Sequence, residues 1–298
     1  MTIAFVLVGG GSLAAVQVGM MQALSEREIH PDLVVGTSSG ALNAAYVAGH
    51  GTGPDALRDL AELWKSIRRR TVFPLSPVRG VLAAVGAQDS LCSSAPLARL
   101  LVAQLPYLRL ERAETPVHVV TTDLLTGRAV PLSDGDAVSA LLASCAIPGV
   151  FPSVRRDGRL LCDGALADES AVFQAAALGA DRIYILTAGT ACALDRPPGH
   201  PAAAALHAIT LLLQQRAILE TKALAGTVDL RVIPGLCPLK VSAADFSHAG
   251  DLISRARHAS TEWLDSSSDT LPAPERFLSL HSHDHGATKQ ARLPSPLT

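Results

Sequence analysis

Short apolar runs alternate along the chain with longer stretches in which apolar residues recur at helical spacing. The strand-like runs cover residues 3–8, 33–36, 117–121, 182–187 and 228–233. The helical stretches cover residues 14–28, 42–49, 54–67, 137–143 and 201–224. This order predicts an α/β protein with a mostly parallel central sheet and helices on both of its faces. Functional residues are then expected at the carboxyl ends of the strands.

Two further patterns complete the organisation of the chain. The dipeptide Asp157-Gly158 lies between two short strand-like runs and predicts a hairpin with a type I′ turn. From residue 266 onward, the chain is rich in serine, proline and histidine and has no periodicity. We therefore expect one domain over residues 1–265 and a disordered tail over residues 266–298.

The composition is that of a globular protein with a large core. Of 298 residues, 48% are hydrophobic and 17% are charged, and the net charge is −2. A net charge this small creates no field that attracts nucleic acid, so no nucleic-acid partner is expected. The five cysteines are widely spaced and are expected to be reduced core residues. Reduced cysteines, together with an N-terminal apolar run that has no preceding basic segment, predict a cytoplasmic protein.

The segment Gly36-Thr37-Ser38-Ser39-Gly40 follows a strand-like run and precedes a helical one. That context is typical of a G-x-S-x-G nucleophile elbow, in which Gly36 and Gly40 let the backbone crowd together around an exposed serine hydroxyl. The helix that follows directs its N-terminal N–H groups toward Ser38 and favours an anion there. The alternative is a glycine-lined turn in which the serine only caps the helix.

A second glycine cluster, Gly9-Gly10-Gly11-Ser12, follows the first strand-like run and opens a helix. In acyl transfer, negative charge develops on the carbonyl oxygen, and each well-placed backbone N–H stabilises it by about 3 kcal/mol. If the first two strands are neighbours, the loops that follow them lie side by side. The N–H groups of Gly10, Gly11 and Ser12 are then expected to face the Ser38 hydroxyl, and glycine permits the close approach.

The same cluster also fits the G-x-G-x-x-A form of a dinucleotide-binding fingerprint, with Asp32 at about the expected distance along the chain. In a dinucleotide-binding fold, the ribose-binding acid ends the second strand, whereas Asp32 precedes it. A dinucleotide-binding domain is therefore the weaker alternative, and the glycines are interpreted as oxyanion donors.

The residues alone leave the identity of the general base open. An ordinary α/β-hydrolase has several strands before its nucleophile and a histidine after it, whereas here one strand and one helix precede Ser38. The histidines lie in predicted strands, helices, loops or the tail, where structural or solvated roles are expected. A carboxylate is the remaining choice. The candidates are Asp123, Asp136 and Asp163, the last of which ends a strand-like run and precedes two small residues.

Four motifs occur in a fixed order along the chain. They are the glycine cluster at residues 9–13, the elbow at 36–40, the segment A-S-C-A-I-P-G-V-F-P at 143–152, and Asp163-Gly164-Ala165. Together they resemble the patatin-like phospholipase family, over about residues 3–186 and more weakly to about residue 264. The resemblance implies a three-layer α/β/α fold, hydrolysis of acyl esters, often in phospholipids or related lipids, and no metal or organic cofactor.

The resemblance also implies a catalytic dyad without histidine. Ser38 would be the nucleophile, Asp163 the base, and the loop from Gly9 to Ser12 the oxyanion hole. An aspartate with an ordinary pKa of about 3.9 is a poor base at neutral pH. We therefore expect an apolar setting to raise the pKa of Asp163. The expected partner is an acyl-lipid or other ester substrate.

Several residues depart from the family pattern. Leu13 and Ala14 stand where arginine and glycine are common, Ser39 stands where alanine is usual, and Glu169 lies where an asparagine often follows the aspartate motif. Leu13, Ala14 and Glu169 motivate an alternative, a catalytically weak relative that binds acyl lipids. Residues 68–75, three arginines followed by an apolar segment, predict either a rim that contacts a membrane surface or a solvated helix end.

Overall fold

A computed structural model describes residues 1–74, 89–168, 171–193, 201–266 and 273–278. Within these residues, one sheet contains eight strands in the order β5-β6-β3-β2-β1-β7-β8, with β4 paired to β3. The strands are β1 Ile3–Leu7, β2 Leu33–Thr37, β3 Val117–Asp123, β4 Ala129–Leu132, β5 Val154–Arg156, β6 Arg159–Asp163, β7 Arg182–Leu186 and β8 Asp229–Ile233. Strands β1, β2, β3, β7 and β8 pair in parallel, and β4, β5 and β6 form the antiparallel pairs.

Helices cover both faces of this sheet. In the part of the chain that the structure describes, they are α1 Ala15–Ser25, α2 Ser39–His50, α3 Pro54–Ser66, α4 Arg69–Val72, α5 Ala95–Gln104, α6 Ala137–Ser144, α7 Val172–Ala177, α8 Pro201–Leu224 and α9 Ala249–Asp265. Alternate side chains of β1 enter two separate cores. Phe5 and Leu7 pack with residues of α1, α2 and α3, whereas Ala4 and Val6 pack with residues of α7 and α8. The predicted α/β class with a mostly parallel sheet is confirmed.

The predicted hairpin is also confirmed. Asp157 and Gly158 have φ angles of 49° and 76°, the positive values that a type I′ turn requires. Two elements were not predicted. Strand β4 contains Pro131, and proline is depleted from strands that are paired on both sides. Among the described residues, β4 pairs with β3 alone. Helix α9 is polar on average, but it buries Leu252 and Trp263 against the core.

The C-terminal segment differs from the predicted tail. Residues 267–272 and 279–298 lie outside the described part of the chain. Between them, Pro274–Leu278 forms a 3₁₀ helix. Leu278 is buried in the core beside β8, and the rings of Phe277 and Trp263 meet edge to face at 6.0 Å. These residues are therefore packed on the domain, because their apolar side chains fill the space beside α8 and α9; the domain end at residue 265 stays a prediction.

None of the helices in the described ranges combines the length and the apolar content that crossing a bilayer requires.

A buried polar network fixes the loop after β1 to the helical layer. The Gln17 amide donates to the carbonyl oxygens of Val8 and Leu186, at 2.6 Å and 3.0 Å. Its oxygen accepts from Asn43 on α2 at 2.8 Å, and Asn43 in turn accepts from the indole of Trp64 on α3 at 2.8 Å. Replacing the fully buried Gln17 side chain would remove these three hydrogen bonds, although the Leu186 carbonyl would keep the N–H of Val8 and the Asn43 amide would keep the carbonyl of Ala14.

We expect Gln17→Leu to lower the free energy of unfolding by about 3 kcal/mol, since it removes three buried hydrogen bonds of about 1 kcal/mol each. Urea denaturation measures this change. The matched control is Gln22→Leu on the same helix, because the Gln22 side chain makes no hydrogen bond within the described residues. Equal effects of the two substitutions would contradict the role assigned to the network.

Candidate active site

Ser38 occupies a strained turn between β2 and α2. Its backbone angles are φ 52° and ψ −127°, a region that residues other than glycine rarely adopt. The turn is tight because the glycines on either side are in close contact with other backbone. A Cβ added to Gly36 would lie 2.5 Å from the Cα of Ala41, and one added to Gly40 would lie 2.1 Å from the carbonyl oxygen of Leu7. The geometry is that of the predicted elbow.

Strand β3 places Asp163 at the level of Ser38. Thr37, the residue before Ser38, pairs with Val120 on one side of β3. On the other side, the antiparallel strand β6 ends with Asp163 opposite Thr121. Because successive residues of β3 pair with the two flanking strands, the side chains of Ser38 and Asp163 meet across it, although 125 positions separate them in sequence.

The two side chains are hydrogen-bonded. The Ser38 Oγ donates to Asp163 Oδ2 at 2.7 Å, and Asp163 Oδ1 accepts the N–H of Ala165 at 3.0 Å. Asp163 is only 4% exposed. The aspartate motif follows β3 closely, because a Cβ on Gly164 would lie 2.2 Å from the carbonyl oxygen of Val120. Each carboxylate oxygen of Asp163 therefore accepts one hydrogen bond from within the protein.

Burial raises the pKa of Asp163 to about 6, although the hydrogen bonds from Ser38 and Ala165 act in the opposite direction. Transfer from water disfavours the charged form of a carboxyl group, and here this effect exceeds the two hydrogen bonds. The expected increase in the pKa of Asp163 is confirmed. A pKa near the operating pH suits a group that must accept a proton and later return it.

Three residues that sequence reasoning missed hold this pair in position. The Ser144 hydroxyl accepts the N–H of Ser38 at 2.9 Å, and the carbonyl oxygen of Ala146 accepts the N–H of Asp163 at 3.0 Å. On the other side, the Thr122 hydroxyl donates to the carbonyl oxygen of Asp163 at 2.8 Å. Ser144 and Ala146 lie in the 143–152 segment, which marked the region without indicating these contacts.

The other candidate carboxylates have local structural roles. Asp123 accepts the N–H two residues further along at 3.0 Å, and Asp136 caps α6 by accepting the N–H of Ser139 at 2.6 Å. Asp32 accepts the N–H of Ile3 at 2.7 Å, at the start of β1. Since the glycine cluster follows the other end of β1, this arrangement does not fit a dinucleotide site.

The glycine cluster lies beside the elbow, as expected, because β1 and β2 are parallel neighbours. A Cβ on Gly9 would lie 3.0 Å from the Cβ of Ser38. Gly11 has a positive φ of 59°, and a Cβ there would lie 2.4 Å from the carbonyl oxygen of Ala243. Glycine is therefore required at position 11, next to the segment around Ala243, and a side chain at position 9 would crowd Ser38.

The backbone N–H groups of the glycine cluster differ in whether they already donate a hydrogen bond within the protein. The N–H of Gly11 makes no hydrogen bond within the described residues, whereas the N–H of Gly10 donates to Ser39 Oγ at 3.1 Å. The N–H of Ser12 donates to the carbonyl oxygen of Ala243 at 2.8 Å. Ser12 therefore does not present a free amide to Ser38, which corrects the prediction for this residue.

Two apolar cavities meet at Ser38. The first, the helix cavity, has a volume of about 840 Å³ and is lined chiefly by apolar residues of three helices, among them Leu42, Tyr46, Leu60, Trp64, Leu97 and Leu101. The second, the sheet cavity, has a volume of about 1140 Å³ and lies beside β7 and α8, lined among others by Gly10, Asp163, Ile185, Thr187, Leu213 and Ala217. Both are lined by Gly11, Ser38, Phe73 and Ile147.

Two of the sequence features noted above, Leu13 and the segment that follows the three arginines, border these cavities. Leu13 is buried and lines the sheet cavity, so it extends the apolar wall where an arginine is common in the family. Arg68, Arg69 and Arg70 are exposed, and Phe73 from the segment that follows lines both cavities. Glu169, like residues 75–88, lies outside the described residues.

A family model for patatin-like phospholipases matches residues 5–176 of the 298 residues. All four motifs fall within this match, as do the Ser38–Asp163 pair and most of the residues that hold it. The chain therefore belongs to the patatin-like phospholipase family, a family of lipid ester hydrolases, and the resemblance seen in the sequence is confirmed.

Several individual proteins are similar to this chain. An uncharacterised NTE family protein of Mycobacterium bovis is 31% identical over 183 residues, which are 60% of this chain and 47% of the relative. Patatin-like phospholipase domain-containing protein 7 of Rattus norvegicus is 27% identical over 194 residues, 63% of this chain and 14% of that protein. Among solved structures, VipD from Legionella pneumophila superposes with a TM-score of 0.45 at 15% identity, over 89% of this chain and 67% of VipD. The chain thus spans about half the length of the mycobacterial relative.

Proposed function

We propose that this protein is a serine acyl hydrolase that cleaves acyl esters of lipids through a Ser38–Asp163 dyad. The observation that carries the proposal is the 2.7 Å hydrogen bond from the Ser38 hydroxyl to a buried carboxylate. A nucleophile and its base must be within hydrogen-bonding distance of each other. Two apolar cavities beside the hydroxyl provide the surroundings that a lipid ester needs.

The first half of the reaction forms an acyl-enzyme. Asp163 Oδ2 accepts the proton of Ser38 while Ser38 Oγ attacks the ester carbonyl carbon. Negative charge on the carbonyl oxygen is stabilised by the N–H of Gly11 and the positive end of α2. When the tetrahedral intermediate collapses, the bond to the alcohol breaks and Asp163 returns the proton to the alcohol oxygen.

The second half releases the acid. Water enters the position that the alcohol has left, and Asp163 takes a proton from it as its oxygen attacks the acyl carbon. Ser38 Oγ then leaves and regains a proton from Asp163. The bonds from Ala165 to the carboxylate and from Ser144 to the Ser38 backbone keep both groups in place through these steps.

A second candidate function is the catalytically weak relative that binds acyl lipids. The observation in its favour is that the N–H of Gly10 already donates a hydrogen bond to Ser39 Oγ. An oxyanion must compete with this hydroxyl for the amide, and the competition reduces the stabilisation that Gly10 can supply. We favour the hydrolase because a charged oxygen is the stronger acceptor and displaces a neutral one.

We expect a fluorophosphonate probe to label the wild-type protein at Ser38 and not to label Ser38→Ala. Asp163→Asn should lower the labelling rate and the kcat for ester hydrolysis by about 10²–10⁴-fold, the contribution of a general base. Intact-protein mass spectrometry and an ester assay measure the two quantities.

The matched control for the base is Asp123→Asn, because Asp123 forms only a local turn contact. It should change the labelling rate less than about twofold. Labelling that persists in Ser38→Ala, or that is equally slow in both aspartate variants, would remove the dyad from the proposal.

The pH dependence follows from the pKa of Asp163, about 6. Asp163 is a base only when it is ionised, so kcat/KM should be constant above about pH 7 and fall about tenfold per pH unit below pH 6. The profile is measured with a substrate that does not titrate. A profile that stays flat down to about pH 4.5 would mean that Asp163 has an ordinary pKa or is not the base.

We also propose that the protein contacts anionic lipid surfaces peripherally. The exposed arginines Arg68, Arg69 and Arg70 immediately precede Val72 and Phe73, both of which line the helix cavity. Positive charge next to an opening with apolar walls fits the anionic surface of a lipid bilayer. Such contact would bring the cavities to the substrate without a spanning segment.

Reversing the three arginines to glutamate should weaken binding to vesicles that contain anionic lipid by about tenfold or more, since each basic residue contributes on the order of 1 kcal/mol. Vesicle co-sedimentation at low salt measures the change. The control reverses Arg112, Arg128 and Arg159, which are exposed and line neither cavity. If both triple variants bind alike, residues 68–70 do not form the contact surface.

A further inference from the structure

We infer that the substrate is an ester of a medium-length acyl chain with an uncharged apolar alcohol, and that each cavity takes one of its two arms. This inference rests on the proposed hydrolysis at Ser38. An ester carbonyl has an acyl arm on one side and an alcohol arm on the other. The two cavities share Ser38 and Gly11 and then diverge, so both arms have a separate apolar channel when the carbonyl lies at the hydroxyl.

The position of Asp163 decides which arm enters which cavity. Asp163 lines the sheet cavity and does not line the helix cavity. After the Ser38 proton has passed to Asp163, the breaking C–O bond leaves an alkoxide that must receive this proton. The alcohol oxygen therefore has to lie on the Asp163 side, and the alcohol arm extends into the sheet cavity. The acyl arm is left to the helix cavity.

The helix cavity sets the length of the acyl arm. Leu42 and Tyr46 lie four residues apart on one face of α2, Ser38 precedes the helix four positions before Leu42, and all three line this cavity. Ser38 and Tyr46 are therefore about 12 Å apart along the helix axis, the span of a straight chain of about eight to ten carbons. Leu60 and Leu101 form the facing walls from α3 and α5.

The sheet cavity selects against a charged alcohol. Among its described lining residues, the charged one is Asp163, and Leu13 takes the place of the arginine common in the family. An anionic phosphate placed in this cavity would be repelled by the carboxylate and would find no cation among the described lining residues. Two of its polar side chains already bond within the protein, since Thr187 donates to a backbone carbonyl at 3.1 Å and Thr190 donates to Gln214 at 3.0 Å.

Two ester series test the assignment separately. Ethyl esters from butyrate to palmitate vary the acyl arm, and octanoates of alcohols from ethanol to dodecanol vary the alcohol arm. For wild type, kcat/KM should rise by about tenfold or more from butyrate to octanoate and fall again at palmitate. Octyl octanoate should be preferred to octanoyl lysophosphatidylcholine by at least about tenfold.

Filling each cavity should change one series only. Leu101→Trp should shift the acyl optimum to shorter chains and leave the alcohol series unchanged, whereas Ala217→Phe should shorten the alcohol optimum alone. The controls are Val102→Trp and Gln215→Phe, whose positions are exposed on the same two helices. Where a variant does not fold, Leu101→Phe or Ala217→Leu makes the same test with a smaller change in volume.

Labelling by the small reagent diisopropyl fluorophosphate separates the possible failures. If wild type is not labelled at Ser38, the proposed function itself is wrong. If wild type and both variants are labelled but neither chain-length optimum moves, or the two variants exchange their effects, only the assignment of the cavities is overturned. Hydrolysis of octanoyl lysophosphatidylcholine that is as fast as that of octyl octanoate, or faster, contradicts the inference that the alcohol is uncharged.

Discussion

The burial of one carboxylate against the Ser38 hydroxyl is the interaction on which the rest of the site depends. Asp163 is 4% exposed and has no basic partner among the described residues, and its carboxylate accepts two hydrogen bonds, from Ser38 and from the N–H of Ala165. This environment raises its pKa to about 6. Such a pKa suits the proposed role of Asp163 as a base that acts on Ser38 directly, without a histidine between them.

Much of the architecture could be predicted, because strands buried on both faces are continuous apolar runs and the helices between them have a clear period. The strands of the parallel core and the 201–224 helix follow this rule. The exceptions have physical reasons. Strand β4 is short and contains Pro131, and Pro274–Leu278 is a brief apolar segment inside a polar stretch, so neither has a period long enough to detect. Their positions depend on tertiary packing.

The candidate site was predictable where chemistry requires a local backbone shape. Gly36 and Gly40 are needed for the turn around Ser38, and these glycines are visible as a motif. The hydrogen-bond partner of the Ser38 hydroxyl was not predictable from spacing, because Asp163 lies on an antiparallel strand 125 positions further along the chain. Only the family resemblance selected Asp163. The hydrogen bond from the Gly10 N–H to Ser39 Oγ joins two loops, and no local pattern encodes it.

The titration of the Asp163 carboxyl carbon, followed by ¹³C NMR, tests the central claim most directly. The resonance is assigned by its absence from the spectrum of Asp163→Asn, and its chemical shift is recorded across the acidic and neutral range. The structure leads us to expect a midpoint at about pH 6. A midpoint near the ordinary aspartate value of about 3.9 would contradict the account, because the carboxylate would then be solvated and too weak a base to activate Ser38.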